Sequence, residues 1–443
     1  MSSYYLRSFG CQMNEHDAER IRAVLEDLGY EAVAEPLQAD VLVYNTCTVR
    51  KSADDRLAGH LGAAARAKRE DPRRVVAITG CLPQAERAAL FERYPFVDVA
   101  LGPQNLHHLR EAIVQSLAMR SAPGSCAPQG FFGDGARLSA ELPARRQRSF
   151  HAWVQVMSGC TNFCSYCIVP YVRGPERSRP PQAVTADVAA LVADGVKEVT
   201  LLGQNVNAYG RDLGASATDA APTFAHLLRT LDAVDGLERM RFMTSHPKDL
   251  SNELIDAIAA LPSVCEHLHL PVQSGSDDVL AAMRRGYTVD GYFAVATALR
   301  RAVPDVSLTT DIIVGFPGET EADFAATVAL AEEVAFDAAF TFVYSPRSGT
   351  AAADLPRQVG EDVKRDRVRR LIAVTQRIGG ERRSRFVGRR LQVLVEGRSR
   401  DGALWRGHTR HNVTVNFEGP AAAGELVEVL VTGSTSTTLR GTV

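Results

Sequence analysis

The sequence predicts an α/β protein in three successive parts: an N-terminal parallel α/β sheet domain, a central partial (βα)6 TIM-like barrel, and a small C-terminal antiparallel β-barrel of the oligonucleotide-binding (OB-like) kind. Three observations carry this. Short apolar runs alternate with helical patterns through residues 1–119 and again through 150–380, the order that gives parallel strands joined by crossover helices. A stretch rich in Gly and Pro, 120–149, interrupts the alternation once. Residues 381–443 turn instead to short apolar runs punctuated by glycine, as small barrels do.

In the first part, Tyr4–Leu6, Val41–Tyr44, Val75–Ile78 and Val97–Leu101 read as short buried strands. Helical patterns such as Ala18–Leu28 and Leu106–Leu117 separate them. Between 120 and 149, Pro123, Gly124, Pro128, Gly130, Gly133, Gly135 and Pro143 break both periods, and the stretch is read as a linker. The second part has six strand candidates, Trp153–Met157, Glu198–Leu202, Met240–Thr244, His267–Leu270, Leu308–Val314 and Phe340–Tyr344. Val184, Val188, Leu191 and Val192 form the apolar stripe of one intervening helix, which Gly195 stops. Six βα units make an incomplete version of the closed eight-unit barrel. A charged helix is predicted over Glu361–Arg385, a pattern that ordinarily marks a solvated face. Leu391–Val395, Val413–Phe417 and Leu426–Val431 are the expected strands of the small barrel.

With 50 Lys and Arg against 52 Asp and Glu, the chain is not a generic polycation. The charge is uneven, however. From Glu381 onward there are ten Arg and six acids, which leaves 40 basic and 46 acidic residues in the remainder. A basic tail on a slightly acidic body fits local contact with an anion such as RNA, or simply a solvated surface. Arg398, Arg400, Arg406 and Arg410 flank Trp405, the interleaving of cations and an aromatic that nucleic-acid surfaces use. Arg145, Arg146, Arg148 and Arg173 are further candidates for phosphate contact. No signal-peptide core and no apolar run of spanning length is visible, so a cytoplasmic protein with no membrane partner is expected. In that compartment cysteines are ligands or catalytic groups rather than disulfides.

Six of the eight cysteines carry chemistry. Cys160, Cys164 and Cys167 form CxxxCxxC directly after the first strand of the second part. Three thiolates in one tight loop can hold three irons of a cubane cluster and leave the fourth open to a substrate or cofactor. A zinc site without an obvious fourth ligand, or a redox CxxC pair, is the alternative reading. Cys11, Cys47 and Cys81 each end a predicted strand of the first part, 36 and 34 residues apart. Loops at the carboxyl ends of neighbouring parallel strands converge on one crevice, so these three are expected to meet as a second three-thiolate site. The alternative is three buried small apolar residues. Cys126 and Cys265 have no partners at suggestive spacing and read as bystanders.

These residues sit in longer motifs that resemble the radical S-adenosylmethionine (SAM) methylthiotransferases along nearly the whole chain. The motifs are FGCQMNEHDAE from Phe9, NTCTVRKSADD from Asn45, GCLPQAE from Gly80 and SGCTNFCSYCIVPYVRGPERSRP from Ser158. They continue with LLGQNVNAYG from Leu201, TSHP from Thr244, LHLPVQSGSD from Leu268, DIIVGFPGET from Asp311 and YSPRSGT from Tyr344. The tail resembles a TRAM domain, a small barrel that often binds tRNA. Gln12-Met13-Asn14 and Thr48-Val49-Arg50 resemble the branch acting on a prenylated tRNA adenosine more than the branch acting on a ribosomal-protein aspartate. Cys126 and Arg347-Ser348-Gly349 depart slightly from the common pattern.

The resemblance implies two [4Fe–4S] clusters and SAM as cofactors. A radical SAM cluster on Cys160, Cys164 and Cys167 would cleave SAM to a 5′-deoxyadenosyl radical, and an auxiliary cluster on Cys11, Cys47 and Cys81 would deliver methylated sulfur to carbon 2 of the adenosine. Tyr166, Gln204, Gln273, Ser274 and Asp311 are candidates for SAM contact, because they follow or end barrel strands at the face where such barrels hold their sites. His267 and His269 alternate on one strand and either line the barrel or belong to its core. The implied partners are the tRNA anticodon stem-loop, a low-potential one-electron donor such as flavodoxin or ferredoxin, and a sulfur source, with the enzyme a monomer. A threonylcarbamoyladenosine or protein-aspartate methylthiotransferase, and a non-catalytic metal-stabilised RNA-binding protein, are the competing functions.

Overall fold

The computed structural model describes residues 2–48, 51–120, 127–133, 138–214 and 221–443. Val49, Arg50 and Cys126 lie outside the described residues. The chain packs as two compact units. The first comprises Met1–Arg148, Trp153–Thr161 and Cys167–Arg177, and the second Ser149–Ala152, Asn162–Tyr166 and Ser178–Val443.

The first unit is built on a parallel six-stranded sheet in the order Glu31–Ala32, Ser3–Ser8, Val41–Thr46, Val75–Gly80, Val99–Leu101, Gln129–Phe131. Successive side chains of a strand point to opposite faces, and here both faces are apolar. Tyr4, Val41, Val43, Val75 and Ala77 pack against Ile21 and Leu25 of the helix Gln12–Asp27 and Leu109 and Ile113 of the helix Leu109–Arg120. Leu42, Tyr44, Val76 and Ile78 pack on the other face against Leu57, Leu61 and Ala64 of the helix Lys51–Glu70. Each buried aliphatic side chain contributes roughly 1.5–3 kcal/mol, so these two layers rather than helix propensity hold the sheet. Part of the expected linker joins it: Gln129–Phe131 is the edge strand beside Val99–Leu101, and Gln129 Nε2 donates to Ser116 Oγ at 2.9 Å.

In the second unit the strands Glu198–Leu202 and Arg239–Met243 run parallel, as do His267–His269, Ser307–Val314 and Ala338–Val343. The strand His151–Gln155 starts beside Glu198–Leu202, with His151 Nε2 3.0 Å from Thr200 Oγ1. Helices alternate with these strands, giving the six βα units of a partial barrel. The helix Glu361–Ser384 presents a solvated charged face, with Asp362, Arg365 and Arg369 exposed, and turns its other face inward. Leu371 and Ile378 are buried, and so is Arg367, which pairs with Glu319 at 2.7 Å.

Residues 390–442 close a five-stranded barrel from Arg390–Arg398, Trp405–Thr409, Thr414–Glu418, Leu426–Ser434 and Leu439–Thr442. Its core is Val393, Val395, Val415, Phe417, Val429, Val431 and Leu439. Arginines fix it to the amino-terminal end of the partial barrel. Arg239, 0% exposed, donates to the carbonyls of Gln392 at 2.8 Å and His408 at 2.9 Å. Arg241 donates to the carbonyls of Thr409 at 2.7 Å and Arg410 at 2.9 Å, and pairs with Glu198 at 3.1 Å. A guanidinium carries five donors in a planar fork, so it spans several strand carbonyls where a lysine would reach one.

Candidate functional site

Cys11, Cys47 and Cys81 follow three adjacent strands of the first unit. Cys11 caps the start of the helix Gln12–Asp27, Cys47 directly follows Val41–Thr46, and Cys81 opens the helix Cys81–Glu86 straight after Val75–Gly80. Asn14 ties the loops together. Its Nδ2 donates to the carbonyls of Phe9 at 2.7 Å and Thr46 at 2.9 Å, and its own carbonyl accepts from Asn45 Nδ2 at 2.8 Å. The Cys47 thiol hydrogen-bonds Cys11 and lowers its pKa to about 6, with the charge of Arg173 assisting against burial. The lowered pKa favours the thiolate, the form that binds metal. Burial pushes the Cys81 thiol up, with Arg173 acting against the rise.

Arg173 corrects a sequence expectation. It does not reach toward phosphates: it is 4% exposed and hydrogen-bonds Cys81. Its guanidinium also lies 3.4 Å from Asn14 Oδ1 and 3.8 Å from Asp17, while its carbonyl accepts from Gln104 at 2.6 Å. Burial opposes its charge, yet Cys81, Asp17 and Cys11 outweigh that and raise its pKa. No pattern in the sequence separates Arg173 from the other arginines of the motif. Arg145, by contrast, forms surface pairs with Glu26 at 3.4 Å and Asp27 at 3.6 Å.

The crowding has a testable consequence. Gly10 has φ +119°, and a Cβ there would stand 2.2 Å from Cys47 Cβ and 2.9 Å from its sulfur. Gly10→Ala is expected to destabilise the first unit by roughly 2–4 kcal/mol, through backbone strain and displacement of Cys47. Chemical denaturation, with bound iron measured in parallel, checks this; an unchanged midpoint would refute it.

The second trio lies on the loop after Met157–Ser158. Gly159 at φ +79° permits the turn, since a Cβ there would fall 1.9 Å from the Pro175 carbonyl oxygen, and Cys160 N donates to the Gly174 carbonyl at 3.1 Å. Within the second unit, Ser165 N and Oγ donate to the carbonyls of Met283 at 3.0 Å and Ala282 at 2.7 Å, which anchors the middle of the loop. Arg285 Nη1 donates to Cys164 Sγ at 3.3 Å and Tyr166 Oη at 3.4 Å, and Nη2 to the Pro271 carbonyl at 3.1 Å. Sequence reasoning missed Arg285, a buried cation that donates to a cysteine sulfur. Tyr166 packs on Val279, Met283, Phe316 and Tyr344.

Among the described residues, no three His, Cys, Asp or Glu side chains form a ready-made set for a single metal ion. A cubane cluster asks for something else, thiolates around a body several ångströms across. The donor chemistry fits it: Cys11, Cys47, Cys81, Cys160, Cys164 and Cys167 remain thiols, and each trio has a buried arginine against a sulfur. Cys265 is buried, and burial raises its pKa.

Of the candidates for SAM contact, Gln204 follows the strand Glu198–Leu202 and is partly exposed. Gln273 has φ +70°, and its backbone bridges to the strand Ser307–Val314. Asp311 stands 3.5 Å from His269 Nε2. Ser274 is a correction: it is buried, and its hydroxyl engages Thr327 Oγ1 at 3.3 Å and the Ser276 amide at 3.2 Å, which turns it into the wall. His267 and His269 share Thr309 Oγ1, at 3.2 and 3.0 Å, and burial holds His267 well below its usual range.

On the tail, Arg398 lies over the Trp405 ring at 3.9 Å, and Arg400 and Arg406 are exposed. Arg410 is a further correction. It pairs with Glu266 at 2.8 Å and donates to the carbonyls of Val264 at 2.7 Å and Pro262 at 2.9 Å, so it fastens the small barrel instead of facing outward.

Three family models match the chain: the radical SAM superfamily over residues 154–331, an uncharacterized protein family, UPF0004, over 3–102, and the TRAM domain over 384–443. A tRNA-2-methylthio-N(6)-dimethylallyladenosine synthase from Pelotomaculum thermopropionicum is 45% identical over 100% of this chain and 97% of its own length. One from Thermoanaerobacter pseudethanolicus is 43% identical over 99% of this chain and 92% of its own. Among solved structures, the radical SAM methyltransferase TsrM from Kitasatospora setae shares the fold, with a TM-score of 0.56 at 14% identity, covering 80% of this chain and 74% of that one. With full-length identity at this level and all three domains matched, the chain belongs to the tRNA-2-methylthio-N(6)-dimethylallyladenosine synthase family of radical SAM enzymes.

Proposed function

We propose that the chain is a methylthiotransferase acting on carbon 2 of N6-dimethylallyladenosine at position 37 of tRNA, next to the anticodon. The observation that carries this is identity of 43–45% to synthases of that name over essentially the whole chain. In this reading Cys160, Cys164 and Cys167 hold the radical SAM cluster, and Cys11, Cys47 and Cys81 hold an auxiliary one, so the protein carries two [4Fe–4S] clusters. When bound, these groups supply the electron that cleaves SAM and the sulfur that is transferred. The chain's own residues do the placing. Arg285 and Arg173 balance thiolate charge, Asn14 and Gly10 fix the strand-end loops, and Tyr166, Gln204, Gln273 and Asp311 face SAM. Arg398, Arg400, Trp405 and Arg406 grip the RNA backbone. The working divisions are 1–119 for the auxiliary cluster, 150–380 for the radical SAM core and 381–443 for the TRAM barrel. A flavodoxin- or ferredoxin-like donor and a separate sulfur source complete the cycle.

Nucleoside mass spectrometry of tRNA from a deletion strain tests the substrate. The methylthio form of prenylated adenosine should vanish and its unthiolated precursor accumulate. Loss of a methylthio threonylcarbamoyladenosine, or of a modified ribosomal-protein aspartate, would overturn the reading. Anaerobically purified protein should carry about eight iron and eight sulfide, the content of two cubanes. Zinc without sulfide would favour a non-catalytic RNA-binding protein.

A further inference from the structure

We propose that Phe340 is a specificity-determining residue, packing against the prenyl group of the substrate adenosine inside the partial barrel. The inference rests on the proposed reading of the substrate as a prenylated adenosine. Phe340 lies on Ala338–Val343, the end strand of its sheet, in register with Asp311. Along the neighbouring strand Ser307–Val314, the face bearing Leu308, Thr310 and Ile312 is buried. Helices surround the strands of such a barrel, so that face meets the helices. The opposite face, bearing Thr309, Asp311 and Phe340, lines the interior.

That wall has two characters. Its polar part is held by His269, which contacts Asp311 at 3.5 Å and Thr309 Oγ1 at 3.0 Å. Its apolar part is Phe340, with the partly buried Ile313 and Phe342 along the same face. The His269 ring meets Phe340 nearly edge to face, with centroids 5.9 Å apart. Phe340 nevertheless remains 51% exposed. A large apolar side chain left open on a convex surface is unremarkable, but on the inner wall of a binding chamber it is a surface for an apolar ligand. A purine is polar around its ring, and an N6 alkenyl substituent adds the one apolar arm this wall accommodates. An unprenylated adenosine would leave Phe340 uncovered.

The test measures affinity for anticodon stem-loop RNA with and without the prenyl group, for wild type, Phe340→Ala and Phe340→Leu. The melting temperature of each variant serves as the check that it folds. Phe340→Ala should lose about tenfold of the preference for prenylated RNA, the effect of uncovering a few methylene groups, and should bind unprenylated RNA as wild type does. Phe340→Leu should keep most of the preference. If Phe340→Ala keeps the wild-type preference, or weakens both RNAs equally, this inference alone is overturned. Wild type that fails to distinguish the two RNAs overturns the substrate reading and this inference with it.

Discussion

Cys160→Ala is expected to reduce cleavage of SAM to the level of iron-free protein, whereas Cys47→Ala leaves cleavage in place and stops sulfur transfer to RNA. The asymmetry follows from where the two residues sit. Cys160 belongs to a loop that offers three thiols in eight residues, Cys160 to Cys167, with Cys164 already paired to Arg285 at 3.3 Å. Three ligands leave one iron open, and losing one of three removes the cluster rather than weakening it. Cys47 belongs to the strand-end trio, where its thiol lowers the pKa of Cys11 by hydrogen bonding. Its loss removes one ligand and also the hydrogen bond that favours the Cys11 thiolate. Measuring 5′-deoxyadenosine release beside methylthio-nucleoside formation in both variants decides the matter. Equal loss of 5′-deoxyadenosine in the two would contradict a division of labour between the trios.

The placement of both sets of cysteines was legible in the sequence, for different reasons. CxxxCxxC is local, so spacing alone brings its thiols onto one loop. Cys11, Cys47 and Cys81 were legible through topology, because strands that alternate with helices pair in parallel and put their carboxyl ends side by side. The buried arginines were not. Arg173 and Arg285 look like any surface arginine in a linear sequence, and their burial depends on thiols and carbonyls supplied by distant segments. Arg410 was misread for the same reason, since Glu266 lies 144 residues away. The overlooked strands Trp405–Thr409 and Leu439–Thr442 carry Arg, His, Gly and Thr and show little hydrophobic contrast. Gln129–Phe131 sits at a sheet edge amid glycine and proline, where only the backbone ladder marks it as strand.

Removing residues 381–443 is expected to damage the central barrel and not merely RNA binding. Arg239 and Arg241 hold strand carbonyls of the tail, and Arg410 returns the interaction to Glu266 and Val264. Truncation opens this end to water and replaces these charge-assisted bonds with solvent, for a loss of a few kcal/mol and a drop in melting temperature of about 10 °C. SAM cleavage would fall for that reason, so a truncation cannot isolate the RNA contact. The combined variant Arg398→Ala, Arg400→Ala, Arg406→Ala can. Arg398 and Arg400 have no part in that docking, and Arg406 has only a loose 3.8 Å contact with Glu396 on the small barrel itself. Stability should change by only about 0.5 kcal/mol per site, and SAM cleavage should persist. Affinity for tRNA should fall and become less salt-dependent, because each lost phosphate contact lowers the log–log slope by somewhat under one unit. Binding as tight as wild type with the same slope would remove Arg398, Arg400 and Arg406 from the RNA surface and leave the tail with a purely structural role.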